Sequence, residues 1–184
     1  MDATTFPRPP CPARRSAVAT AAVVLATAYA LLAGAPAAAE ARTSIGRRAP
    51  DFSVRTVEGR VFTLSAQRGR VVVLDFLLPG CGECELEARP LDRVAARFRG
   101  RGVRVLILDT AGVGNRLLRS YYVGRLHLRF ALVASDPGFR VSKRYRITSV
   151  GTTLVIGRDG RIRWRGSWLG RERLLARRIA AALR

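Results

Sequence analysis

The sequence predicts a three-layer α/β/α domain with a central mixed sheet and an N-terminal β-hairpin. Three observations predict it. Short β-branched and apolar runs alternate with segments of helical period through the C-terminal part of the chain. The run Val71–Leu77 is nearly all apolar, as a strand buried on both faces must be. Glu58-Gly59 and Asp159-Gly160 each separate two β-forming runs, which marks hairpin turns.

Taken in order, the chain opens with a targeting segment. Arg8, Arg14 and Arg15 precede an uncharged run over residues 16–39, and Ala37 and Ala39 fit a small-residue cleavage site. Arg14-Arg15 is a loose match to a twin-arginine export signal. The run is long enough to cross a bilayer but is interrupted by Gly34 and Pro36. A cleaved signal peptide and a retained signal anchor both remain open. Either places the C-terminal domain outside the cytoplasm, since the positive flank stays inside. Residues 1–39 are thus expected as leader, 40–48 as linker and 49–184 as one domain.

Within that domain, residues 52–55 and 61–64 read as the two strands of the hairpin. The central strand over 71–77 carries one polar residue, Asp75. A buried carboxylate is unfavourable unless paired or protonated, so Asp75 is either a solvated strand end or a proton acceptor beneath Cys81 and Cys84. A helix begins near Gly82, with Leu86, Val94, Ala95 and Phe98 as its apolar side, a kink at Pro90 and an end near Gly100. A strand over 103–109 comes next. Asn115 caps a helix through Leu117, Leu118 and Tyr122. Residues 130–133 form a further strand. The turn Asp136-Pro137-Gly138 leads into a helix ending near Tyr145. Strands over 152–156 and 161–165 form the second hairpin, and residues 171–183 a terminal helix with Leu174, Leu175, Ile179 and Leu183 on one face. Trp164 and Trp168 pack beneath that helix or offer a partner surface.

Composition limits the functions. The formal charge is +20, and Lys143 is the one basic residue that is not Arg among 33. These arginines are scattered, with no basic block, interleaved aromatics or nucleic-acid motif, so no nucleic-acid partner is expected. An anionic membrane surface or an acidic partner suits the charge better. Gly112-Val113-Gly114 lacks the further residues of a phosphate-binding loop.

The chemistry concentrates at Cys81-Gly82-Glu83-Cys84, a C-x-x-C at a strand-to-helix corner. Cys81 falls at a helix N-terminus, where free N–H groups and the dipole favour a thiolate. Cys84, one turn on, is placed to close a disulfide with it. A structural bridge closing so short a loop would constrain the unfolded chain little, so redox use is the better reading. Glu83, Glu85 and Glu87 crowd the same turn, either complementing the dipole or opposing a sulfur anion. The third cysteine, Cys11, lies ahead of the apolar run and is not part of the site.

From about Ile45 onward the chain resembles the TlpA/ResA-like thiol–disulfide oxidoreductases of the thioredoxin superfamily. The residues that carry this are A-P-D-F at 49–52, R-G-R-V-V-V-L-D-F at 68–76, C-G-E-C at 81–84, D-P-G-F at 136–139 and T-T-L-V-I-G-R-D-G-R-I at 152–162. The resemblance implies a thioredoxin-like domain that reduces or exchanges protein disulfides, with Cys81 attacking, Cys84 resolving and Asp75 as a buried acid assisting Cys84. It also implies that no metal or organic cofactor is needed. The substrate would be a protein dithiol or disulfide, and a membrane thiol transporter is a candidate electron donor. A monomer is expected.

Four departures from the family pattern stand out. Gly80 replaces an aromatic before Cys81, Glu83 replaces a Pro between the cysteines, and Pro90 sits one residue late. Gly151 stands where the family has a cis-Pro facing the cysteines. A non-proline cis bond costs about 2.5–4 kcal/mol, so a trans Val150–Gly151 bond is expected. Substrate binding would fall on Val150, Gly151 and Gly80, in a groove left more open by the missing ring. The rivals are a soft-metal module holding Cu(I) on Cys81 and Cys84 with His127 as a third ligand, a thioredoxin-like interaction domain with an idle disulfide, and a peroxiredoxin-type peroxidase, whose P-x-x-x-T/S-x-x-C motif is missing before Cys81.

Overall fold

The computed structural model describes residues 43–184; the expected leader lies outside the described residues. Among the described residues, seven strands and four α-helices run in the order β1 (Ser53–Arg55), β2 (Val61–Thr63), β3 (Val71–Leu77), α1 (Gly82–Phe98), β4 (Val103–Asp109), α2 (Asn115–Leu118), β5 (Leu132–Ser135), α3 (Arg140–Tyr145), β6 (Thr152–Ile156), β7 (Ile162–Gly166) and α4 (Glu172–Leu183). The sheet runs β5-β4-β3-β6-β7, with β1 and β2 as a separate antiparallel hairpin. β3 pairs parallel with β4 and antiparallel with β6, so the sheet is mixed, as expected.

β3 is buried at every residue because layers cover both its faces. Val71, Val73 and Leu77 pack with Leu91, Phe98, Trp168, Leu175 and Ile179, contributed by α1, α4 and the turn before α4. Val72, Leu74 and Phe76 pack with Phe52, Val141 and Tyr145, from the hairpin side and α3. Strand alternation puts Asp75 on the first of these faces, the one α1 covers.

The differences from expectation are local and have causes. Residues 130–131 do not join β5, because the Asp92 carboxylate draws the amides of Phe130 and Ala131 to 2.7 Å and holds them against α1. Asn115 does not cap α2; Gly114 holds that position. The Asn115 amide instead donates to the Arg55 carbonyl at 2.9 Å and its oxygen accepts from the Ser135 amide at 3.1 Å, tying hairpin to sheet. Beyond Leu118 the helix widens into a π-helical turn, Arg119–Arg125. Leu86 is 68% exposed rather than core. The inward face of α1 is Cys84, Ala88, Leu91, Ala95 and Phe98, a strict helical repeat that leaves Leu86 on the flank. The described part of the linker is bound to the domain: the Gly46 amide donates to the Ile162 carbonyl at 2.7 Å, and the Ala49 amide to that of Gly160 at 2.9 Å.

Candidate active site

The site forms where β3 ends and α1 begins. Gly80 takes φ +79°, open to glycine, and turns the chain so that Cys81 becomes the N-cap of α1. The Cys81 Sγ accepts the Cys84 amide N–H at 3.4 Å, as a capping hydroxyl would. Cys81 is half-buried and Cys84 is 2% exposed, so the first sulfur faces solvent and the second lies under it. Burial pushes the Cys84 thiol up to about 12, with the Cys81 sulfur and the Glu87 charge adding to it.

Asp75 is fully buried, not a solvated strand end. Its Oδ2 accepts the Trp168 indole N–H at 3.3 Å, while Oδ1 has no partner among the described residues. Burial raises its carboxyl to about 7 against the opposing pull of the indole hydrogen bond. Trp168 is itself completely buried beneath α4. It packs as a core residue and supplies a donor the sequence did not disclose.

Glu87 is the residue that motif reading misses. The motif groups it with Glu83 and Glu85 as a first-turn acid, yet it is 2% exposed, with Oε1 unpartnered among the described residues. Burial, then the charge of Asp75, raises it to about 8. Its place three residues after Cys84, on the inward face of α1, was the signal available.

The three acids therefore part ways. Glu83 is exposed. Glu85 accepts the Tyr121 hydroxyl, and the Arg125 guanidinium stands 3.3 Å from its Oε1. The Tyr121 oxygen in turn accepts the Gly80 amide N–H at 2.8 Å, and Arg125 lies over the Tyr121 ring, 5.2 Å from its centre. The π-helical turn is thus fastened to the loop that carries Cys81.

Gly151 enters β6 with φ +72°, its amide donating to the Phe76 carbonyl at 2.8 Å. No described peptide bond is cis. The space beside Gly151 is not open: a Cβ there would lie 2.9 Å from Glu87 Oε2. The expectation of a looser groove fails at this point because a carboxylate fills it. Val150 is 39% exposed next to it. Among the described residues no three His, Cys, Asp or Glu side chains gather as metal ligands. His127 is exposed on the loop before β5.

Comparison with known proteins agrees with this architecture. The AhpC/TSA family model matches residues 45–165. The thiol-disulfide oxidoreductase ResA of Bacillus thuringiensis subsp. konkukian is 28% identical over 123 residues, covering 67% of this chain and 69% of the relative. ResA of Geobacillus thermodenitrificans is 29% identical over 121 residues, covering 65% and 67%. Among solved structures, a thiol:disulfide interchange protein DsbE from Chlorobium tepidum superposes with TM-score 0.68 at 26% identity, covering 77% of this chain and 99% of that one. A secreted Mycobacterium tuberculosis disulfide oxidoreductase superposes with TM-score 0.60 at 24% identity, covering 71% and 95%, a likeness of fold.

Proposed function

The chain belongs to the AhpC/TSA family, and from its site we propose that it is an extracytoplasmic thiol–disulfide oxidoreductase that reduces or exchanges protein disulfides through Cys81 and Cys84. The observation that carries this reading is the pairing of an accessible sulfur at a helix N-terminus with a buried sulfur one turn on, linked by the 3.4 Å contact from the Cys84 amide. The sequence of residues 1–39, with Arg14 and Arg15 ahead of the uncharged run 16–39, supports the location.

The Cys81 thiolate attacks one sulfur of a substrate disulfide. The other substrate sulfur leaves as a thiolate, and a mixed disulfide remains on Cys81. The Cys84 S–H must then lose its proton, which its apolar surroundings oppose. Asp75 and Glu87, two buried acids raised to about 7 and about 8, hold a proton between them through neutral pH and take up another from Cys84 when one is ionised. The Cys84 thiolate attacks Cys81 Sγ, the reduced substrate leaves, and the Cys81–Cys84 disulfide waits for two electrons from a separate donor. Running backward, the same atoms oxidise a dithiol. The exposed Val150 and Gly80 border the place where the substrate chain lies, and Gly151, next to Val150, is buried.

Insulin-disulfide reduction with dithiothreitol as donor tests the reading. The protein should accelerate it, and Cys81→Ser should abolish the acceleration. Cys84→Ser should trap a mixed disulfide. A wild-type protein that gives no acceleration refutes the proposal.

A further inference from the structure

Some of the arginines that look scattered along the chain gather in space. Arg68 and Arg70 lead into β3, and Arg99 and Arg101 lead into β4, which lies parallel to β3 with Val71 opposite Val103. The β6–β7 turn carries Arg158 and Arg161, and β6 runs antiparallel to β3 with Ile156 opposite Val72. The topology therefore brings all three loops to one end of the sheet. Arg47, Arg48, Arg68 and Arg161 line one open cleft there, and Arg101, Arg158 and Arg184 line another. The Arg68 guanidinium lies across the turn so closely that a Cβ on Gly160 would be 1.1 Å from it. Two acids share this end, and both are engaged. Asp159 pairs with Arg163 at 2.8 Å and more loosely with Arg161 at 3.7 Å, and Asp51 accepts the Ser65 amide at 2.8 Å.

Two further facts bear on what this pole meets. The described chain enters the domain here, with Arg161 donating to the Gly46 carbonyl at 2.8 Å and the Ile162 amide to that of Arg47 at 2.9 Å. The uncharged run of residues 16–39 ends just before that entry. The cysteines sit beyond the other end of β3, about 20 Å away along its length. That separation exceeds the screening length at physiological salt, so the pole's charge acts locally and not on the sulfurs.

We propose that this arginine pole docks on an anionic lipid bilayer surface, seating the domain with Cys81 directed away from the membrane. The guanidinium groups stay positively charged at any physiological pH, and several such charges act together at the anionic surface.

The test is amide exchange on the full chain reconstituted in vesicles of phosphatidylcholine alone or with about 30% phosphatidylglycerol. The turns at 99–102 and 157–161 should exchange several-fold more slowly on the anionic vesicles only, and about 0.5 M salt should erase the difference. The triple variant Arg68→Gln, Arg101→Gln, Arg158→Gln should lose the protection, and the matching lysine triple should keep it. Both triples should reduce insulin like the parent, which separates this proposal from the redox reading. Equal exchange on both vesicles, or protection of residues 79–84 instead, overturns the proposal. Protection by polyglutamate but not by anionic vesicles assigns the pole to an acidic protein and also overturns it.

Discussion

The Glu87 carboxyl group stands against the point where a side chain on Gly151 would begin, with Oε2 2.9 Å from the position of a Cβ. The strand entering β6 and the helix carrying the cysteines thus meet through a buried acid and a bare backbone. Gly151→Pro should destabilise the fold by about 3 kcal/mol or more, because proline cannot adopt φ +72° and would delete the hydrogen bond to Phe76. Gly151→Ala should cost about 1–2 kcal/mol for its left-handed backbone, plus the displacement of Glu87. Adding Glu87→Ala should recover at least about 0.5 kcal/mol of that in a double-mutant cycle by urea unfolding. Strict additivity would mean that the two residues do not press on each other.

Stability should fall as pH rises from about 5 to about 8. Asp75 and Glu87 are both raised above their ordinary values by burial, so across this range the folded state binds more protons than the unfolded state. Their contribution is full below the unfolded carboxyl range and is lost as pH climbs through the folded values of about 7 and about 8. Asp75→Asn keeps an acceptor for Trp168 and removes the charge. It should flatten the profile and leave the variant about 2 kcal/mol more stable than wild type at pH 8. Denaturant unfolding at both pH values checks this, and parallel profiles would contradict it.

Substoichiometric alkylation should modify Cys81 before Cys84, since Cys84 is buried and its thiol is pushed up to about 12. Once a mixed disulfide has formed on Cys81, Asp75→Asn and Glu87→Gln should each slow its resolution by about 100-fold, the lower end of the usual range for a positioned proton acceptor. Quenched-flow trapping of the mixed disulfide measures it. Resolution unchanged in both variants would leave Cys84 to deprotonate to water.

Much of this was legible from the sequence, and the rest was not, for physical reasons. The apolar run 71–77 and the C-x-x-C located the corner that carries Cys81 and Cys84, because a strand buried on both faces and a helix start each leave a local signature. Asp75 stood out because it breaks an apolar run. Glu87 did not, because it comes after two exposed or paired acids and only the helical phase set by Cys84, Ala88 and Leu91 turns it inward. Trp168 and Tyr121 were invisible as site residues for another reason. Their partners, Asp75 and Gly80, are 93 and 41 positions away in the chain. Leu86 misled because apolarity alone does not reveal on which side of α1 a residue falls.

Tyr121 gives the last prediction. Its oxygen accepts the Gly80 amide at 2.8 Å while its proton goes to Glu85, so one hydroxyl both fixes the turn before Cys81 and takes up an acid in the first turn of α1. Tyr121→Phe removes both interactions and keeps the ring under Arg125. The Gly80 amide is at an exposed turn and can turn to water, so the stability loss should be about 0.5–1.5 kcal/mol, that of an ordinary hydrogen bond. The larger effect should be on reactivity. With the turn before Cys81 no longer held by the hydroxyl, the Cys81 sulfur should be alkylated at a changed rate at fixed pH. Glu85→Gln in the Tyr121→Phe background should add little, since Tyr121→Phe has already broken the link from Glu85 to the Gly80 turn. If Tyr121→Phe is alkylated at the wild-type rate, the hydroxyl braces the loop without setting the reactivity of the sulfur.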